Sequence, residues 1–323
     1  MKALCVFSGG LDSLLASELI RAQGVEVLAL FFETPFFSSE KARKSAAAVN
    51  LPIKVIDITD RHLSMLKDPK HGFGGYMNPC IDCHALMIRI TGEMLQEEGA
   101  SFVITGEVVG QRPMSQNIKA LSMVECESGL RGLLLRPLSA KRLQPTIPEE
   151  RGWVRREKLM GFSGRSRKPQ KELAEKLHIT EYPTPAGGCL LTDEVFSRRL
   201  KDLFSARPDF ELREIELLKV GRHFRLDPNT KLVVGRNKKE NQTIQILWKD
   251  SDLLLNTVSV PGPTVLVSGD ISLELADLAA SVTVSYSDAK NDALTKVSLK
   301  GQGMDEERMA KGRDKDQLRD YMI

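Results

Sequence analysis

The sequence predicts an α/β fold, a doubly wound parallel sheet followed by a smaller α+β domain, and three observations carry that prediction. Short apolar runs at 3–7, 25–32 and 53–58 alternate with stretches of helical periodicity, the rhythm that builds parallel sheets. The first run breaks at Ser8-Gly9-Gly10 and passes into a helix whose Leu11, Leu14, Leu15 and Leu19 share one face, with Gly24 at its end. Beyond residue 210 the pattern shifts to shorter β-prone runs and turn sequences such as Asp227-Pro228-Asn229. The expected domains are 1–205 and 210–323, with Ala206-Arg207-Pro208-Asp209 as the linker.

In chain order, 38–49 reads as a helix with a serine cap and 53–58 as a strand. The segment 59–79, with Gly72, Gly74 and Gly75, reads as a long irregular loop of the kind that is usually functional. A helix over 84–98, a strand at 102–105 and a shorter one at 133–135 complete the sheet, and helices follow at 170–177 and 193–205. In the second domain a hairpin pairs 224–226 with 232–234, a helix-like stretch follows, helical periodicity covers 273–280, and a strand lies at 296–299. The charged tail after Gly303 is expected to be a helix or a frayed end. Ligands of such sheets bind at the carboxyl ends of the strands, where Ser8, Glu107 and Arg136 emerge.

Bulk properties narrow the classes. With 323 residues, 41% hydrophobic and 28% charged, the chain is long enough to bury a core without disulfide staples. No apolar stretch reaches the ~18 residues of a membrane span, and the first residues run into a core strand rather than a cleavable signal, so a cytoplasmic protein with no membrane role is expected. Charge is unevenly placed: 141–171 holds ten Lys or Arg against three Glu, a local +7, and 219–249 holds eight against one Asp and one Glu, a local +6. Two basic zones point to a polyanion; ordinary solvated surfaces are the alternative.

Two glycines before a helix bring backbone N-H groups and the positive helix end to one point, so an anion belongs there. The hexapeptide Ser8-Gly9-Gly10-Leu11-Asp12-Ser13 lacks the Lys-Ser/Thr pair of a Walker A loop and the third glycine of a dinucleotide fingerprint. It resembles instead the SGGxDS signature of the PP-loop ATP pyrophosphatases. That resemblance implies ATP and Mg2+ as ligands, with Ser8, Gly9, Gly10, Asp12 and Ser13 holding the pyrophosphate and Asp12 a catalytic or metal-holding residue. Gly106-Glu107-Val108-Val109-Gly110-Gln111, Ser115-Gln116 and Leu135-Arg136-Pro137-Leu138 are similar to segments of the 4-thiouridine synthetases of this class. The likeness implies that Gly106 and Gln111 lie near the nucleotide. Those synthetases carry RNA-binding domains ahead of the loop, whereas here the loop opens the sequence.

Five cysteines, an odd number, argue against a disulfide framework. Cys5 reads as a core residue and Cys126, placed after a helix ending near 124, has no assigned role. Cys80 and Cys83 stand at a helix start, where the dipole would favour thiolate, and Cys189 ends the loop Pro183-Thr184-Pro185-Ala186-Gly187-Gly188. A C-x2-C pair with one distant cysteine leaves three readings open: three ligands of a 4Fe-4S cluster, persulfide carriers, or zinc or no function. The arrangement resembles the tRNA thiolases, which implies sulfur transfer with Cys83 and Cys189 as catalytic residues.

Arg165, Arg167 and Lys168 lie in the first basic zone and are candidate RNA-backbone contacts, a plain basic connector being the alternative. Gly235-Arg236-Asn237-Lys238-Lys239-Glu240-Asn241 and the segment 261–267 resemble the RNA-binding domain of NFACT proteins, which implies phosphate contacts by Arg236, Lys238 and Lys239. Together the resemblances imply an ATP-dependent tRNA sulfurtransferase that adenylates a uridine carbonyl, releases pyrophosphate and AMP, and takes sulfur from a cysteine desulfurase persulfide or free sulfide. A PP-loop ligase installing nitrogen on a small molecule and a non-catalytic RNA-binding factor are the competing readings. The modified nucleotide, the donor and the oligomeric state are not encoded legibly.

Overall fold

The protein is described here as a computed structural model, covering residues 1–182, 189–207, 209–290 and 293–323. Its contacts divide it into two units, Met1–Thr192 and Asp193–Ile323.

The first unit runs β1 (Lys2–Val6), α1 (Leu11–Arg21), β2 (Glu26–Glu33), α2 (Glu40–Ala48), β3 (Ile53–Asp57), α3 (Thr59–Lys67), α4 (Cys80–Glu93), β4 (Phe102–Thr105), α5 (Ile118–Ser128), β5 (Leu134–Leu135), α6 (Ile147–Glu150) and α7 (Lys168–Lys176). Its sheet has the order β3-β2-β1-β4-β5, and every pairing is parallel. This is the doubly wound fold that the alternation predicted. Strand β1 is apolar throughout because both its faces are covered: Ala3 and Cys5 join Phe31 and Phe102 in one cluster, while Leu4 packs with Leu30, Phe32 and Leu86 in another. Chain order reverses across β1 and β4, so a crevice is expected outside their carboxyl ends.

Several local expectations change. The segment read as irregular from residue 59 begins with α3, which buries His62, Leu63 and Leu66. Ser39 does precede α2, but its hydroxyl makes no cap bond and donates instead to Glu33 Oε1 at 3.0 Å. Helix α4 begins at Cys80, and α5 extends to Ser128, so Cys126 lies exposed within a helix.

The second unit runs α8 (Glu194–Ala206), α9 (Leu212–Leu218), β6 (Arg222–Asp227), β7 (Thr230–Val234), α10 (Lys238–Leu247), β8 (Leu253–Thr257), β9 (Val265–Ser268), α11 (Leu273–Ser285), β10 (Thr295–Gly301) and β11 (Met304–Ala310). Its strands form an antiparallel sheet in the order β11-β10-β8-β9-β7-β6. Ala276, Ala279 and Ala280 of α11 pack on Val265, Val267, Val297 and Leu299. The boundary falls before α8 rather than at 205–210, and polar contacts explain why. Asp202 pairs with Arg225 and Lys231, and Arg199 donates to the carbonyls of Leu218 and Gly221. The tail begins as a strand rather than the expected helix or frayed end, residues 304–310 pairing with β10 along its length, and only its end turns into a single 3-10 turn at Arg319–Tyr321. Among the described residues no helix is long and apolar enough to cross a membrane.

Candidate active site

The loop after β1 is built to be rigid and open at once. Gly9 takes φ +74°, and a Cβ there would come within 2.5 Å of the Ala42 backbone, so only glycine fits. Ser45 of α2 donates to the Gly9 carbonyl at 2.7 Å, pinning the turn from behind. Gly10 caps α1 without any side-chain cap bond, which leaves the amides of the first turn open. Ser8 and Ser13 share a hydrogen bond at 3.3 Å, so both expected hydroxyls line one mouth.

Gly106 and Gln111 reach the same point from β4. A Cβ on Gly106 would lie 2.5 Å from the Ser13 nitrogen, so the strand end can abut α1 only as glycine. Gln111 Nε2 donates to Asp12 Oδ2 at 2.8 Å. Asp12 Oδ1 is buried with no protein partner. An unsatisfied carboxylate oxygen among open amides and two hydroxyls suits a cation held against phosphate, so these residues fit Mg2+ with a polyphosphate.

Next to this mouth lies a completed charge network. Glu107 follows Gly106 and is buried; Arg136 Nε donates to it at 2.9 Å, Thr105 at 3.1 Å, and His84 Nδ1 lies 3.0 Å away. Burial alone would push the Glu107 carboxyl up, but the Arg136 charge, then the hydrogen bond and charge of His84, hold it down to about 2. An ionised carboxylate only accepts, so His84 carries its proton on Nδ1. Arg136 spends its other donors on Glu125 and the Leu121 carbonyl.

His84 belongs to α4 and adjoins Cys83, which brings the thiols to the same sheet end. Cys83 Sγ lies 3.4 Å from His62 Nε2, and the His62 ring sits against Phe36 and Phe37. Burial lowers His62 to about 4, so its imidazole is neutral at pH 7. The expectation of thiolates at the helix start fails, because desolvation outweighs the helix end. Cys83 is raised well above the ordinary thiol range by burial, then by Cys189, Cys80 and Asp82. Cys80 is raised by burial despite Arg112, Asn78 and Ser115 beside it. Cys189 is raised to about 11 by burial, eased by Leu191 and reinforced by Cys80. The three thiols therefore sense one another. Among the described residues no group of three His, Cys, Asp or Glu is gathered closely enough to hold a single metal ion. Residues 183–188, the rest of the Cys189 loop, lie outside the described residues.

Much of the first basic zone is structural. Lys141, Arg142 and Arg156 donate to the carbonyls of Glu157, of Gly161, and of Ala140 and Leu143. The segment 160–164 is laced to the sheet end by Met160 to Pro137, Phe162 to Leu138 and Gly164 to Val109. Arg165 and Lys168 are exposed, as an RNA contact requires. Arg167 is not: its Nη2 lies 3.7 Å from Asp12 Oδ2, at the glycine loop after β1. In the second unit Lys238 and Lys239 are exposed at the start of α10, while Arg236 is held by Glu240.

Sequence reasoning missed His62 because it fell in the segment taken as loop. The signal available was His62, Leu63 and Leu66 at helical spacing after Asp57, whose carboxylate accepts from the Thr59 amide at 2.8 Å.

Comparison with known proteins agrees with this layout. Residues 1–142 match the family model described as thiamine biosynthesis protein (ThiI), and residues 221–322 match that of the NFACT protein RNA binding domain. A probable tRNA sulfurtransferase of Thermoanaerobacter sp. is 30% identical over 129 residues, covering 37% of this chain and 32% of that protein. Another from Anoxybacillus flavithermus is 27% identical over 146 residues, covering 42% and 35%. The chain thus spans about a third of the length of the curated relatives it matches. Among solved structures, a predicted subunit of tRNA methyltransferase from Methanocaldococcus jannaschii is 18% identical, with a TM-score of 0.36 over 54% of this chain and 74% of that one. An NMN synthetase from Francisella tularensis is 14% identical, with a TM-score of 0.28 over 57% and 89%. Residues 1–142, in the first unit, are thus similar to the ThiI family, and residues 221–322, in the second, to the NFACT RNA-binding domain.

Proposed function

We propose that the protein is an ATP-dependent tRNA sulfurtransferase acting in the cytoplasm. The observation that carries this is an unbroken run of neighbours from phosphate loop to thiols: Ser13 against Gly106, then Glu107, His84 and Cys83. A uridine bound there has its carbonyl oxygen beside the α phosphate and its carbon beside sulfur. That oxygen attacks the α phosphate, and pyrophosphate leaves into the loop of Ser8, Gly9, Gly10 and Ser13. Asp12 would hold Mg2+, which when bound neutralises phosphate charge. AMP is then a far better leaving group than oxide, which is why the exchange requires ATP.

We route the sulfur through cysteine persulfide, with Cys83 and Cys189 as carrier and resolving thiol because their thiols act on one another; a 4Fe-4S cluster on Cys80, Cys83 and Cys189 is the competing route. A persulfide is loaded on Cys83 or Cys189 by a cysteine desulfurase. Its terminal sulfur attacks the adenylated carbon, and AMP departs with the electrons of the C-O bond. The other thiol attacks the carrier sulfur, which frees the thiocarbonyl and leaves a Cys83-Cys189 disulfide for a dithiol to reduce. The neutral His62 imidazole lies 3.4 Å from the Cys83 sulfur and orients it. Lys238 and Lys239, with Arg165 and Lys168, supply phosphate contacts to the tRNA.

Nucleoside mass spectrometry of tRNA incubated with protein, ATP, a desulfurase and cysteine tests the reading. The expected result is one thiouridine per tRNA, lost in Cys83→Ala and Cys189→Ala and retained in Cys5→Ala and Cys126→Ala. Protein purified without oxygen should be nearly free of iron; about four irons per chain would defeat the persulfide route. ATP-dependent amidation of a small molecule with no thiouridine would favour the ligase reading.

A further inference from the structure

Arg167 and Gln170 lie outside the segment that matches the ThiI family model, yet both sit at the phosphate loop. Gln170 Nε2 donates to Gln111 Oε1 at 2.9 Å, Gln111 Nε2 donates to Asp12 Oδ2 at 2.8 Å, and Arg167 Nη2 stands 3.7 Å from the same oxygen. A polar chain from α7 therefore closes over Asp12. Helix α7 is fixed there by Leu173 and Ala174, which pack on Leu11, Leu15 and Ala16 of α1.

Within this network of Asp12, Gln111, Arg167 and Gln170, three atoms are buried without a protein partner: Asp12 Oδ1, Arg167 Nε and Gln170 Oε1. Gln170 as a whole is 1% exposed. Buried polar atoms are nearly always paired, so three together, linked to one carboxylate, mark a place where a polar ligand completes the set. The set combines a guanidinium donor with two carbonyl-type or carboxylate acceptors. It fits a metal-bound polyphosphate: the oxygens take the cation and its water, and the guanidinium takes phosphate oxygens.

We propose that Arg167 is a phosphate ligand of the nucleotide site. In the free protein it rests against Asp12; with MgATP bound, Asp12 turns to the cation and Arg167 engages the β and γ phosphates, then the leaving pyrophosphate. Gln170 holds Gln111, and through it Asp12, in place. The inference rests on the reading of this loop as an ATP site, and it withdraws Arg167 from the RNA contacts.

Calorimetric titration of MgATP, pyrophosphate and AMP into wild type, Arg167→Ala, Arg167→Lys and Gln170→Ala tests it, with tRNA affinity measured on each. Arg167→Ala should bind MgATP and pyrophosphate at least tenfold more weakly, with AMP within threefold and tRNA within twofold of wild type. Arg167→Lys, which keeps the charge without the fork, should fall between. Unchanged MgATP affinity, or equal losses for MgATP and AMP, would overturn the proposal. So would loss of tRNA binding alone, which returns Arg167 to the RNA. Wild-type protein that binds neither MgATP nor pyrophosphate removes the ATP-site reading itself, and the inference with it.

Discussion

Two clusters of buried polar groups meet at the carboxyl ends of β1 and β4, and they are built in opposite ways. Around Glu107 both carboxylate oxygens and every engaged arginine nitrogen have protein partners, and burial is compensated within the chain. Around Asp12, a few residues away in space through Gly106, three buried atoms have none. The first cluster is finished by folding, whereas on the proposed reading the second is finished by a ligand. The Glu107 cluster ties α4, β4 and β5 together, and the proposed function gives the Asp12 cluster to the chemistry.

The largest expected effect breaks the finished cluster. Arg136→Met leaves the Glu107 charge buried without its guanidinium, and removing one partner of a buried pair costs about 3–5 kcal/mol. Denaturant unfolding should show that loss; a change below about 1 kcal/mol would mean that the network is not what secures the sheet end.

Acid should act next. Glu107 is held at about 2 against an unfolded value of 4.5, so its contribution is full above pH 4.5 and is lost as pH falls toward 2. His62 is lowered to about 4 from 6.5, so between those values the unfolded chain binds the extra proton and stability falls as pH drops from 6.5 to 4. Shifts of this size correspond to roughly 3 kcal/mol each. In His62→Phe the decline between pH 6.5 and 4 should flatten while the lower one remains; an unaltered profile would show that His62 is not the buried base.

The smallest effect concerns RNA. Lys238→Ala with Lys239→Ala should weaken tRNA binding uniformly across tRNA sequences and flatten the salt dependence by about one log unit per log unit for each lysine. An unchanged slope would move the phosphate contacts to Arg165 and Lys168.

How far the sequence went follows from where its signals were physical. The phosphate loop was legible because a tight turn demands glycine and a helix start demands small polar residues, whatever the rest of the fold does. Gln111 was expected near the nucleotide from its motif and is bonded to Asp12. Arg167 was not separable from its neighbours, since a charge run does not say which arginine is folded back onto the sheet. Thiol ionisation was misjudged because the helix end is local and visible, while desolvation of Cys83 depends on what packs over it. Strand β11 was missed because it lies at a sheet edge with most of its side chains exposed, which erases the alternation that marks half-buried strands.

The contrast between the two clusters is tested most directly by Asp12→Ala, with pyrophosphate release from MgATP and denaturant stability measured on the same preparation in the presence of tRNA. An unfinished cluster that exists for the ligand predicts at least a hundredfold loss of pyrophosphate release, with stability within about 1 kcal/mol of wild type. Pyrophosphate release at the wild-type rate, or a destabilisation as large as that of Arg136→Met, would contradict it.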